Sequence, residues 1–115
     1  MFRGLKILFD RERPPLDTRL VAADNESLPS GHATMAMTVI ATLVVLAWAD
    51  RTLTTRVAMV AVGAAWVLAV GLTRVYLGVH WWSDVLAGWL VGGTWVAACG
   101  AVWLFVQRRR ALTPA

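Results

Sequence analysis

The chain has 115 residues, of which 58% are hydrophobic and only 16% charged, with a formal net charge of +4. That length holds one small domain, and a charged fraction well below the ~25% of soluble domains excludes an ordinary water-soluble protein. A basic balance points to nucleic acid, an anionic membrane surface or an anionic substrate. Nucleic acid is set aside, because the basic residues form no stripe interleaved with aromatics and the seven Trp lie in or beside apolar runs.

Residues 1–28 carry Arg3, Lys6, Arg11, Arg13 and Arg19 against Asp10, Glu12, Asp17, Asp24 and Glu26. The start lacks the apolar core of a cleavable signal peptide. Leu5, Ile7, Leu8 and Phe9 suggest a helix end that Pro14-Pro15 stops, and residues 17–27 read as a polar loop. Lys6 and Arg13 stand seven residues apart, about two helical turns or ~10 Å. Either side chain suits phosphate oxygens, Lys as a point charge and Arg as a two-pronged donor. Alone, the pair reads first as an ordinary basic surface near headgroups.

Pro29-Ser30-Gly31-His32 sits directly before the first apolar run. Ser30 is placed as a helix N-cap, Gly31 admits close backbone approach, and the free N–H groups of a helix start attract anions. The same residues also describe a plain capped helix with an interfacial histidine.

Apolar stretches at residues 33–49, 57–73 and 85–106 contain no charge. A spanning helix needs ~20 apolar residues, with a range of ~17–25, so an all-α transmembrane bundle of three spans is predicted. Soluble core helices would need polar faces that these runs lack. Gly63, Gly71, Gly88, Gly92, Gly93 and Gly100 suit close packing in lipid. Cys99 lies in the third run; a lone thiol supports no internal disulfide or metal cluster and reads as a buried small residue. Arg51 and Arg56 occupy the connection at residues 50–56, and Arg108, Arg109 and Arg110 the tail.

Arg74, His80 and Asp84 close the second run and open the third. A helix starting near His80 places His80 and Asp84 on one face at i, i+4. The carboxylate then fixes the imidazole tautomer and stabilises its cation, leaving the other nitrogen as a nucleophile. Tyr76, Trp81 and Trp82 read as an aromatic belt at headgroup depth. A divalent ion on His32, His80 and Asp84 is the competing use, disfavoured by the repulsion of Lys6, Arg13 and Arg74; no metal and no cofactor are expected.

Three spans place residues 1–31 and 73–84 on one side of the membrane. Of the eleven Lys and Arg, six lie on that side and five on the other; without Lys6, Arg13 and Arg74 the balance is three against five. Cytoplasmic loops carry the excess of Lys and Arg, so the tail is expected in the cytoplasm and the site on the outer face of a bacterial plasma membrane.

Together the three patterns resemble the type-2 phosphatidic acid phosphatases and the related vanadium-dependent haloperoxidases. Lys6-Ile-Leu-Phe-Asp-Arg-Glu-Arg13-Pro14 matches K-x6-R-P and Pro29-Ser30-Gly31-His32 matches P-S-G-H. Thr73-Arg74-Val-Tyr-Leu-Gly-Val-His80-Trp-Trp-Ser-Asp84 matches S-R-x5-H-x3-D, with Thr73 in place of Ser. The resemblance implies that His80 attacks phosphorus, Asp84 pairs with it, and His32 protonates the leaving oxygen and then activates water. It implies that Lys6, Arg13, Ser30, Gly31 and Arg74 bind phosphate without a metal. The substrate class it implies is a lipid phosphate or diphosphate of the phosphatidic acid, phosphatidylglycerol phosphate or undecaprenyl diphosphate type. Membrane members have six spans, so residues 1–115 correspond to the second half, a single phosphatase-like domain without the N-terminal spans. A truncated, non-catalytic fragment or accessory subunit is the alternative, and a homo-oligomer would replace the missing half.

Overall fold

The computed structural model describes residues 11–23 and 27–112. Lys6, and the helix end expected beside it, lie outside the described residues. A 3-10 turn at Leu16–Thr18 precedes three α-helices: α1 (Gly31–Leu46), α2 (Leu53–Tyr76) and α3 (Trp82–Leu112). Among the described residues there are no strands, so the all-α class holds.

Helix lengths modify the expectation of spans at residues 33–49, 57–73 and 85–106. At ~1.5 Å per residue, α2 and α3 reach about 36 and 46 Å, more than the ~30 Å hydrocarbon core. Both are long and apolar enough to cross a membrane, whereas α1 has 16 residues, about 24 Å. It stops at Leu46, three residues before the predicted end, and Asp50 in the following turn takes a positive φ of 56°. The other ends overrun the apolar stretches. Thr52 caps α2 through its hydroxyl, which accepts from the Thr55 N–H at 3.3 Å, so helix starts at Leu53. The tail is helical too: no Gly or Pro follows Gly100 before Pro114, and Arg109 and Arg110 face the negative end of the helix dipole.

Large apolar side chains point outward along all three helices, among them Leu43, Val62, Trp66, Leu90, Trp95 and Trp103. A contiguous apolar exterior of this kind requires a non-aqueous partner, and lipid supplies it. Cys99 belongs to this exposed exterior rather than to a core; on a lipid-facing helix, hydrophobicity does not imply burial within the protein.

What holds the helices is close approach at glycine. A Cβ added at Gly88 would stand 2.8 Å from the Ser30 carbonyl oxygen, and one at Gly92 2.7 Å from that of Thr34. Gly88 and Gly92, one turn apart, thus form the α3 side of the α1–α3 seam. Thr34 and Thr38, opposite it, turn their hydroxyls back onto the carbonyls of Ser30 and Thr34 at 2.8 Å each, so neither threonine hydroxyl is left unsatisfied in the contact. Gly63 admits Ile40 of α1 to the face of α2, and Gly71 admits Val85 and Trp89 of α3.

Gly92→Ala is expected to lower stability by about 1–3 kcal/mol, the usual cost of overpacking. Gly100→Ala, where nothing stands within 4 Å of the added carbon, should be neutral or slightly stabilising. Thermal unfolding of the two variants in detergent gives the comparison, and equal midpoints would show that the seam does not hold the bundle.

Candidate active site

The site is built where the starts of α1 and α3 meet. The Ser30 N–H donates to the Asp84 carbonyl at 2.9 Å, locking the two helix starts together. The segment before α1 folds over this junction. Its Leu20 N–H donates to the Leu77 carbonyl at 3.0 Å, and the Trp81 indole N–H donates to the Glu12 carbonyl at 3.1 Å. Gly78 makes that approach possible. It takes a positive φ of 68°, and a Cβ there would collide with the Thr18 carbonyl.

His80 is buried, and its two ring nitrogens face different groups. Nδ1 lies 3.5 Å from Asp84 Oδ2, and Nε2 lies 3.5 Å from Arg13 Nη1. An ionised carboxylate only accepts and a guanidinium only donates. In the neutral ring the partners therefore assign the proton to Nδ1 and leave the lone pair on Nε2. Helix α3 begins at Trp82, so His80 precedes it rather than opening it; the i, i+4 relation to Asp84 survives because the Asp84 and Val85 N–H groups already bond the Trp81 carbonyl.

Asp84 is fully buried. Its Oδ2 accepts from the Trp81 N–H at 2.8 Å and from the Ser27 hydroxyl. Its Oδ1 faces the Arg11 guanidinium at 3.2 Å, a charge contact without hydrogen-bond alignment. Arg11 also donates to the Ser83 hydroxyl at 2.7 Å. Arg13 donates to the Val79 carbonyl at 2.6 Å, which fixes its guanidinium beside Nε2.

Of the residues singled out from sequence, Arg13, His80 and Asp84 are in direct contact, and the Ser30 backbone joins them. The Ser30 side chain departs from expectation: it stands at the N-cap position but makes no capping bond. Its buried hydroxyl has no hydrogen-bond partner. Gly31 opens α1 with clear space where a side chain would project, and His32 is exposed in the first turn. Arg74 is in the last turn of α2, half-buried, with Nε and Nη2 3.4 Å from the Thr73 hydroxyl. That hydroxyl itself donates to the Val70 carbonyl at 2.7 Å, a role that Thr fills as well as Ser. Sequence reasoning missed Arg11 and Ser27. Arg11 stood two residues from Arg13 within the same motif; nothing local marks Ser27.

Beside His80 opens a cleft of about 490 Å³, walled by Leu72, Val75, Tyr76 and Trp82, with Pro14 and Thr18 opposite. It places an apolar surface directly against the imidazole. Trp82 meets Trp89 edge to face at 6.2 Å between ring centres.

A sequence model of the PAP2 superfamily matches residues 2–111. The chain belongs to that superfamily. Over 71 residues it is 41% identical to an undecaprenyl-diphosphatase of Sulfolobus acidocaldarius, a match covering 62% of this chain and 30% of the relative. The crystal structure of a transmembrane PAP2-type phosphatidylglycerolphosphate phosphatase from Bacillus subtilis superposes with a TM-score of 0.78 at 27% identity, over 87% of this chain and 50% of that one. The chain thus spans half or less of the length of these relatives. The PAP2 fold and the two long lipid-facing helices make it an integral membrane protein.

Gly78→Ala is expected to lift residues 11–23 off the α2–α3 turn, since both the positive φ and the Thr18 contact resist a side chain. Trypsin should then cut after Arg11 or Arg19 several-fold faster than in the wild type, the Arg13–Pro14 bond being resistant. An unchanged cleavage rate would show that the segment is held without the glycine.

Proposed function

We propose that this PAP2 member hydrolyses a lipid phosphate or diphosphate through a phosphohistidine, residues 1–115 acting as one membrane-embedded phosphatase unit. The observation that carries the reading is the polarised imidazole of His80: a buried ring with a carboxylate at Nδ1 and a guanidinium at Nε2, at the mouth of an apolar cleft.

In the first step the Nε2 lone pair attacks phosphorus and the P–O bond to the lipid breaks. His32 gives the leaving oxygen its proton. The imidazole becomes cationic as the P–N bond forms, and Asp84 stabilises that charge. The 3.5 Å separation exceeds a formed hydrogen bond of ~2.7–3.2 Å, and such contacts commonly tighten as substrate binds. In the second step His32 takes a proton from water, the hydroxyl attacks phosphorus, the P–N bond breaks and phosphate leaves.

Phosphate oxygens are held by Arg13, Arg74 and Lys6, by the Ser30 hydroxyl and by the free N–H groups at the start of α1. Preorganised donors of this sort supply the largest share of catalysis in charge-developing reactions, and the cations do the neutralising that a metal would otherwise provide. The Ser30 hydroxyl, buried and without a protein partner, supports that assignment. The cleft walled by Leu72, Val75, Tyr76 and Trp82 takes the first carbons of the lipid. The names of the two relatives favour a polyprenyl diphosphate or a phosphatidylglycerol phosphate as the type of substrate. Arg108, Arg109 and Arg110, at the end of α3 away from the site, favour a cytoplasmic C-terminus and an outward-facing site.

The short span of the chain relative to these proteins favours a second reading, a non-catalytic piece that carries the residues but needs further helices. One experiment separates the two. Phosphate release is measured in detergent with chelator present, over a panel of lipid phosphates and diphosphates. Wild-type release that is lost at least 1,000-fold in His80→Ala, the scale of losing a nucleophile, supports the phosphatase. Full activity in His80→Ala removes the mechanism, and no release from folded wild type favours the second reading.

A further inference from the structure

Asp84 is a carboxylate with no exposed surface, and four groups converge on it from three parts of the chain. The Trp81 N–H and the Ser27 hydroxyl reach Oδ2, the same oxygen that faces His80 Nδ1. Arg11 reaches Oδ1 from the partly exposed side. Ser27 is itself fully buried, and its backbone N–H donates to the Arg11 carbonyl at 2.9 Å. The two residues therefore reach opposite oxygens of the carboxylate while bonded to each other.

We propose that Ser27 is a positioning residue for the His80–Asp84 pair, with Arg11 as its counterweight. The carboxylate can turn about its terminal bond, which is a soft torsion. Arg11 draws it toward the exposed edge of the site, because its guanidinium is a cation in contact with Oδ1. Ser27 fixes Oδ2 on the inner side, where it faces Nδ1 and holds the imidazole in the tautomer that leaves Nε2 free. Removing the hydroxyl leaves the Trp81 N–H and the more distant His80 Nδ1 to resist Arg11, and the carboxylate swings away from His80. No step passes through Ser27; it acts through Asp84.

This role rests on the phosphohistidine reading, and the test separates the two. In Ser27→Ala, kcat for phosphate release is expected to fall about 10–100-fold, the scale of a small misplacement of a reacting group, with KM within about twofold. In an Asp84→Asn background the same substitution should cost less than about twofold, because the group it positions is already gone. A residue that only stabilises the fold would cost the same in both backgrounds. An equal cost in both, or a raised KM with unchanged kcat, overturns the proposal.

Histidine nitrogen NMR on the resting protein supplies a readout that needs no substrate. The His80 Nδ1–H resonance is expected to shift in Ser27→Ala. If wild type releases no phosphate, the functional reading falls while this shift still supports the positioning role, and an unmoved resonance overturns it. Should Ser27→Ala fail to fold, Ser27→Cys keeps the size with a weaker donor. An intermediate kcat with the same dependence on Asp84 supports the proposal, and wild-type kcat overturns it.

Discussion

The buried carboxylate of Asp84 is the constraint from which the polar end of the molecule follows. An ionised group removed from water must be compensated by donors and opposite charge, or it costs several kcal/mol. Here the compensation comes from the Trp81 N–H, the Ser27 hydroxyl and the Arg11 guanidinium, with the His80 ring alongside. Each donor belongs to a different turn or segment. Satisfying one side chain therefore fixes the segment before α1, the turn between α2 and α3, and the start of α3 in one arrangement. The backbone of the same residue adds the start of α1, since the Asp84 carbonyl accepts from the Ser30 N–H.

That junction is reachable only because α1 and α3 come unusually close. Gly88 lies against the Ser30 carbonyl and Gly92 against that of Thr34. In lipid there is no hydrophobic force between apolar helices, so contact area at small residues and satisfied backbone groups must supply the attraction. The seam and the site are continuous: the glycine that packs against Ser30 stands one turn after the aspartate that bonds it. Side chains larger than glycine in the seam would act on the site through the position of α1.

The legible part of the sequence was whatever repeats or stands at fixed spacing. Three apolar runs gave three helices, and two of the glycines expected to pack closely, Gly88 and Gly92, lie in the seam. His80-x3-Asp84 gave a pair that the fold does bring face to face, although the helix starts two residues later than the histidine. Less legible were the helix ends, because hydropathy marks where lipid ends rather than where hydrogen bonding does. Thr54, Thr55, Arg56 and the three arginines at 108–110 are polar and still helical. Cys99 was misread for a related reason: in a membrane helix an apolar position faces lipid as readily as a neighbour. Ser27 was invisible, and Arg11 passed over inside its motif, because what selects them is the carboxylate 57 and 73 residues away. Lys6 falls outside the described residues, and its place beside the phosphate rests on the motif.

The segment from residue 11 to 23 has little apolar surface of its own to bury; Pro14 is its one buried residue. Its attachment comes instead from Arg13 to Val79, Arg11 to Asp84 and Ser83, Trp81 to Glu12, and Leu20 to Leu77. Most of these bonds end on the turn that carries His80. The segment is therefore ordered by the groups it serves, and the turn is ordered by the segment. Such reciprocal dependence makes site assembly and folding of this end a single event. It also explains why charged groups persist beside an otherwise apolar exterior. Each is held by partners that become available only when the others are in place, so the arrangement is cooperative rather than a sum of surface ion pairs.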